Sequence, residues 1–195
     1  GYGDIMKTNQ SQKWGFSMKE LTLEEFDAMF QIMQESFPIT EMRTYKEQKR
    51  LFEREDYHVY GFYEQNQLIG FLAIYEEKNF TFIEHFALTS AVRGKGYGSR
   101  ILQQFISTLK KPSIFEVEYP TTEIAKRRIR LYQRLGAKLF DEIDYAMPPL
   151  HQEHEPLPLY LMTFNKQLQE VDVVDMIPDI YKYVYRVEFT WKGNK

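Results

Sequence analysis

Residues Arg93-Gly94-Lys95-Gly96-Tyr97-Gly98-Ser99 set three glycines at alternate positions, with cations among them, between a β-rich run and a helical one. Backbone N–H groups at a helix N-terminus lack intrahelical acceptors and point outward, which suits phosphate oxygens. Alternating glycines let a backbone approach a ligand and reach conformations closed to other residues. A dinucleotide fingerprint needs G-x-G-x-x-G, and Ser99 stands where its third glycine belongs. The Walker pattern G-x-x-x-x-G-K-[ST] is absent. On these residues alone, a phosphate cradle and a ligand-free glycine turn both remain open.

Working outward, the run before the loop, Phe80 to Leu88, reads as the third of three consecutive antiparallel strands. His58–Tyr63 and Leu68–Tyr75 are the other two, joined through Glu64-Gln65-Asn66-Gln67 as a hairpin. Upstream, Trp14 to Glu20 reads as a short strand. Thr22 and Glu25 form a capping-box pattern ahead of Phe26, Met29, Phe30 and Met33 at helical spacing. Pro38 stops that helix, and a second is expected over Tyr45 to Arg54. Downstream of the loop, Ile101, Leu102, Phe105, Ile106 and Leu109 form an amphipathic stripe ended by Pro112. Ser113–Glu118 reads as a strand and Glu123–Leu135 as a helix closed by Gly136. Leu139–Tyr145 and Leu159–Phe164 read as the last strands. This order predicts an α+β fold around a mixed, mostly antiparallel twisted sheet flanked by helices.

Composition sets the bounds. The 195 residues suffice for one well-cored domain. Hydrophobic residues at 43% and charged residues at 27% place the chain among globular proteins. With no cysteine, disulfides, thiolate metal sites and a cysteine nucleophile are excluded, and a cytoplasmic location is expected. A net charge of -3 disfavours a general nucleic-acid binder and is compatible with an amine acceptor. No apolar run approaches the roughly 20 residues of a membrane span. The first residues lack the basic and apolar regions of a secretory signal. Gly1 is no translation start, and residues 1–13 are expected to be a tail in part foreign to the natural protein.

Arg93-Gly94-Lys95-Gly96-Tyr97-Gly98 resembles the acetyl-CoA loop [RQ]-x-x-G-x-[GA] of the GNAT superfamily of N-acetyltransferases. Leu131-Tyr132-Gln133-Arg134-Leu135-Gly136-Ala137 is similar to the family's second motif, L-Y-x-[KR]-x-G-[FA], in the usual order and at roughly the usual separation. The resemblance covers about residues 15 to 165. Phe37-Pro38, Glu118-Tyr119-Pro120 and Pro148-Pro149 further resemble a bacterial group of the superfamily, a likeness that names no acceptor. Ala125 stands where members often carry Asn, and Tyr119–Ile124 is a few residues longer than usual.

The resemblance implies that acetyl-CoA is the donor, held by Phe86, Ala87 and Leu88 of the strand end and by Arg93, Gly94, Lys95, Gly96, Tyr97, Gly98 and Ser99 of the loop. Leu88 would act through its N–H. Tyr132 is the expected acid for the leaving thiolate, since a phenol near pKa 10 can protonate a thiolate whose acid lies near 8.5. Glu84, among apolar and aromatic neighbours on the strand, is the first choice of base, and desolvation is expected to raise its pKa. Glu118 is the second choice. His85 points to the opposite face and reads as structural.

No metal is expected: His151 and His154 lack a matching ligand set. Lys126, Arg127, Arg128, Arg130 and Arg134 read as a solvated helix face, or as a contact to CoA phosphates or an acidic acceptor. The function implied is transfer of an acetyl group to a primary amine, on a small molecule or a peptide, by direct attack in a ternary complex. The alternative is a non-catalytic acyl-CoA-binding sensor. Domain boundaries are read as 14–165 for the transferase and 166–195 for a C-terminal extension. Apolar residues from Val173 to Tyr185 in that extension serve either packing on its own domain or a homodimer contact.

Overall fold

The computed structural model describes residues 16–165 and 167–193; Trp14 of the expected first strand and the expected tail over 1–13 lie outside them. The chain forms two compact units. One comprises the chain up to Glu76 together with Ile83–Leu109, the other Glu77–Phe82 and the chain from Lys110 on.

In the first unit, β1 (Ser17–Glu20), β2 (Tyr57–Glu64), β3 (Gln67–Glu76) and β4 (Thr81–Leu88, shared at its start with the second unit) follow one another in sheet order. Both β1/β2 and β2/β3 are antiparallel, with Tyr57 opposite Tyr75 and Glu64 opposite Gln67. Gln65 (φ +50°) and Asn66 (φ +62°) make the two-residue hairpin turn, whose positive φ values match the strand twist. Helix α1 (Phe26–Ser36) follows a 3-10 turn over Leu23–Glu25. The Thr22 hydroxyl accepts an N–H of that turn while Glu25 reaches back to the Thr22 N–H at 2.9 Å, which is the expected capping box. Helix α2 (Tyr45–Arg50) starts on a second box, Thr44 with Glu47, and tightens into a 3-10 turn at Leu51–Glu53. Helix α3 (Tyr97–Thr108) leaves the glycine loop. Met18, Phe26, Met29, Phe62, Phe71 and Phe105 are fully buried and form this unit's core.

In the second unit, β5 (Ser113–Val117), β7 (Leu157–Thr163) and β6 (Lys138–Met147) lie in that order, with antiparallel pairing throughout. Helix α4 (Glu123–Arg134) starts on a Thr22-like cap, the Thr122 hydroxyl accepting from Ala125 N–H at 3.1 Å. The expected class holds: α+β, with a mixed and mostly antiparallel sheet of seven strands among the described residues and flanking helices.

Beyond Asn165, where the sequence pattern is mixed, the chain folds into α5 (Glu170–Asp179) and a π-helical turn over Ile180–Tyr185. Val173, Ile177, Ile180, Tyr181 and Val184 are buried, and the Tyr181 hydroxyl donates to the Ala146 carbonyl of β6. Among the described residues, no helix is long and apolar enough to cross a membrane.

Candidate functional site

Candidate residues occur in both units. In the first, β4 ends at Leu88, and the Thr89 N–H donates to the Ile69 carbonyl at 2.8 Å. A 3-10 turn over Ser90–Val92, anchored by buried Val92, leads into the loop. Gly94 and Gly96 take φ of +81° and +77°, where an L side chain is strained. The space where their side chains would lie is open, so conformation rather than crowding calls for glycine.

Gly96 is the N-cap of α3, and no side chain fills its capping role. The first intrahelical bond, Arg100 N–H to the Gly96 carbonyl, spans 3.3 Å. The amides of Tyr97, Gly98 and Ser99 precede it and are of the kind that bind phosphate. Arg93 donates through Nε to the Leu88 carbonyl at 3.2 Å, tying the loop to the strand end. Arg100, which the sequence reading passed over, donates to the Lys95 carbonyl at 3.1 Å and lies 4.8 Å over the Tyr97 ring. The Tyr97 hydroxyl donates to Glu64 of the hairpin. That bond, with some desolvation, raises the Tyr97 pKa. Phe86 and Leu88 are half-buried on one face of β4, and Ala87 is buried between them. A pyrophosphate fits this arrangement: open backbone at two left-handed glycines, a helix N-terminus, and the Lys95 and Arg93 cations nearby.

Glu84 corrects one expectation. It is nearly buried, at 5% side-chain exposure, but the Arg43 guanidinium grips it through both oxygens at 2.8 and 3.1 Å. The Tyr75 hydroxyl donates a further bond at 3.1 Å. Desolvation pushes the Glu84 pKa up, as argued from sequence. The charges of Arg43 and His85 and the hydrogen bonds from Arg43 and Tyr75 outweigh it, and the net shift is downward. His85 is buried, with Nε2 3.0 Å from the Glu41 carbonyl and its ring against Phe37. Burial lowers its pKa.

In the second unit, Tyr132 lies on α4, half-buried, with its ring edge-on to Phe115 at 5.1 Å. Among the described residues its hydroxyl has no hydrogen-bond partner. Desolvation raises its pKa, moderated by Arg128, so the phenol is protonated at neutral pH. The helix end explains the spacing of the motif. Ala137 N–H bonds the Tyr132 carbonyl at 2.9 Å and Gly136 N–H the Gln133 carbonyl at 3.0 Å, a Schellman cap turned by Gly136 at φ +102°. Glu118 falls just past β5 and is half-buried. Two residues before it, Glu116 accepts hydrogen bonds from Tyr145 at 2.5 Å and Tyr185 at 2.7 Å. The basic residues Lys126, Arg127, Arg128, Arg130 and Arg134 are exposed, and the His151 and His154 rings pack together at 4.9 Å.

The profile of the acetyltransferase (GNAT) family matches residues 26–137. A GNAT-family acetyltransferase structure from Bacteroides thetaiotaomicron is 32% identical, covering 88% of this chain and 99% of its own, with a TM-score of 0.81. The ribosomal-protein-S18-alanine N-acetyltransferase of Escherichia coli shares the fold at 16% identity, over 79% of this chain and 99% of its own, with a TM-score of 0.57. Naa50 of Arabidopsis thaliana, solved with a bisubstrate analogue of CoA and a peptide, does so at 16% identity, over 76% and 97%, with a TM-score of 0.58. No curated protein matches the chain.

Proposed function

Because the chain belongs to the GNAT acetyltransferase family, we propose that it binds acetyl-CoA at the 93–99 loop and moves the acetyl group to a primary amine by direct attack in a ternary complex. The observation that carries this is the loop itself, with left-handed Gly94 and Gly96 opening the N-terminus of α3. The thioester donor supplies an activated acyl group when bound. The amides of Tyr97 to Ser99, with Lys95 and Arg93, hold its pyrophosphate. The Leu88 N–H orients the arm that leads to the thioester, and Phe86 and Ala87 line it. Tyr132 hands its phenolic proton to the departing sulfur, and its unengaged hydroxyl supports that role. Of the two carboxylates considered as base, we assign proton removal to Glu118. Arg43 already holds both oxygens of Glu84 and keeps it ionised.

Calorimetry and kinetics test this together. Gly96→Glu puts a carboxylate and a strained side chain at the cradle, and acetyl-CoA affinity should fall by more than about tenfold. Tyr132→Phe should keep donor affinity and lower kcat by about a hundredfold or more. Equal acetyl-CoA affinity in wild type and Gly96→Glu would sink the loop assignment. Tight acetyl-CoA binding with no transfer to any amine would leave a sensor in place of an enzyme.

A further inference from the structure

We propose that the cleft between α1, the β2–β3 turn and the entry to the glycine loop binds a basic α-amino acid, and that this ligand opposes donor binding. The opposition rests on the acetyl-CoA reading of the loop; the cleft itself does not. It encloses about 490 Å3, within the roughly 300–1,000 Å3 of small-molecule sites, and lies wholly in the first unit. Three charged residues line it: Glu35 in the last turn of α1, Glu64 at the end of β2, and Lys95 of the loop.

Among the described residues no ion pair joins these three, and neither the Glu35 nor the Lys95 side chain has a partner. Glu64 accepts one bond, from the Tyr97 hydroxyl on Oε2, and Oε1 is unengaged there. Two carboxylates and one ammonium thus border one cleft with their charges uncancelled. The complementary ligand carries two cations and one anion. A basic α-amino acid has that set: an α-carboxylate, an α-ammonium and a side-chain cation. Its aliphatic stem also has a place to lie, because Ile32, Ile69 and Val92 are buried and form an apolar floor.

Glu35 is the residue that calls for a ligand. The helix dipole disfavours a carboxylate in the last turn, and no basic residue of that turn compensates it. A bound ammonium supplies the missing cation. Donor binding gives Lys95 a task but gives Glu35 none.

Two of the three charges also serve the donor loop. A Lys95 ammonium turned to the ligand carboxylate is withdrawn from the pyrophosphate. An ammonium on Glu64 competes with the hydroxyl of Tyr97, the residue that opens α3. Amino acid and donor therefore oppose each other, and such coupling is reciprocal. Neither Phe86 nor Leu88, assigned above to the donor arm, borders the cleft, which sets this ligand apart from the acceptor.

Calorimetry on the full chain tests this with L-lysine, L-ornithine and L-arginine. At least one should bind about tenfold or more tighter than analogues that lack one of its charges, the range of a hydrogen bond to a charged group. For lysine these are cadaverine, 6-aminohexanoate and norleucine. Glu35→Gln should weaken the binding about tenfold and leave acetyl-CoA affinity unchanged. Saturating amino acid should raise the acetyl-CoA Kd about fivefold or more, and acetyl-CoA should raise the amino-acid Kd by the same factor. Failure of all three to bind at about 10 mM overturns the site, as does binding that Glu35→Gln leaves intact. Binding indifferent to acetyl-CoA overturns the coupling. Acetylation of the amino acid with a KM that rises in Glu35→Gln makes the cleft an acceptor site and overturns the effector role. Gly96→Glu decides the donor reading separately, so either can fail while the other stands.

Discussion

Glu84 is subject to two opposing effects, and the sign of its pKa shift depends on a residue far away in sequence. Burial alone would make it a weak acid suited to accept a proton near neutrality. Arg43, meeting it as a two-pronged fork, reverses the balance. The stability consequence has a definite sign. A carboxyl whose folded pKa lies below its unfolded value near 4.3 stabilises the fold above that value, and the contribution is lost as pH falls through the folded pKa. Arg43→Met leaves a buried carboxylate without its cation and should destabilise the protein by about 3–5 kcal/mol in urea unfolding at neutral pH. The acid limb of its Tm against pH should lose the segment that Glu84 contributes in wild type. A change within about 0.5 kcal/mol would mean that Tyr75 and His85 suffice to hold Glu84.

At the scale of elements, the termini of the helices differ in how their backbone groups are capped. Three helical segments begin on threonine caps, Thr22, Thr44 and Thr122, whose side chains accept the early N–H groups. Helix α3 departs from this pattern, because Gly96 offers no side chain and the early amides stay available for a ligand. The missing cap is a cost in helix stability of about 1 kcal/mol or less, which an anion bound as proposed would offset. At its far end α4 uses the opposite device. Gly136 at φ +102° closes the helix and sets the direction of the strand that follows Tyr132. Gly136→Ala should cost about 1–2 kcal/mol from the positive φ alone, measured by thermal unfolding. Were the melting temperature unchanged, the Schellman turn would not be what fixes Tyr132.

For the molecule as a whole, the segment after Asn165 behaves as part of the second unit's core. It places Val173, Ile177, Ile180, Tyr181 and Val184 out of solvent. Burial of such side chains is worth about 1.5–3 kcal/mol each as an upper bound, which together rivals the 5–15 kcal/mol of net stability typical of a folded protein. A chain ending at Asn165 should therefore lose its cooperative thermal transition and aggregate in light scattering. A truncated chain that stays folded and merely changes oligomeric state would show that the segment serves an intermolecular contact instead.

The parts of this protein legible from sequence are those whose cause is local. The capping boxes, the Gln65-Asn66 hairpin, the glycine loop and the cap after Tyr132 each depend on residues within about six positions, where backbone sterics and hydrogen-bond spacing are set by the chain itself. The fold class followed from the order of these elements, and the family from the resemblance carried by the glycine loop and the Leu131–Ala137 motif. The ionic state of Glu84 and the neighbours of Glu116 did not, because their partners lie 41 residues away at Arg43 and 69 residues away at Tyr185. Period-two alternation placed Glu84 on a face of its strand but could not say which charge would meet it there. For Glu116 a signal was present, since it shares that same alternation with Glu118, yet nothing local announced the tyrosines. Electrostatics at a buried group is decided by what packs against it, and only the tertiary structure brings those side chains together.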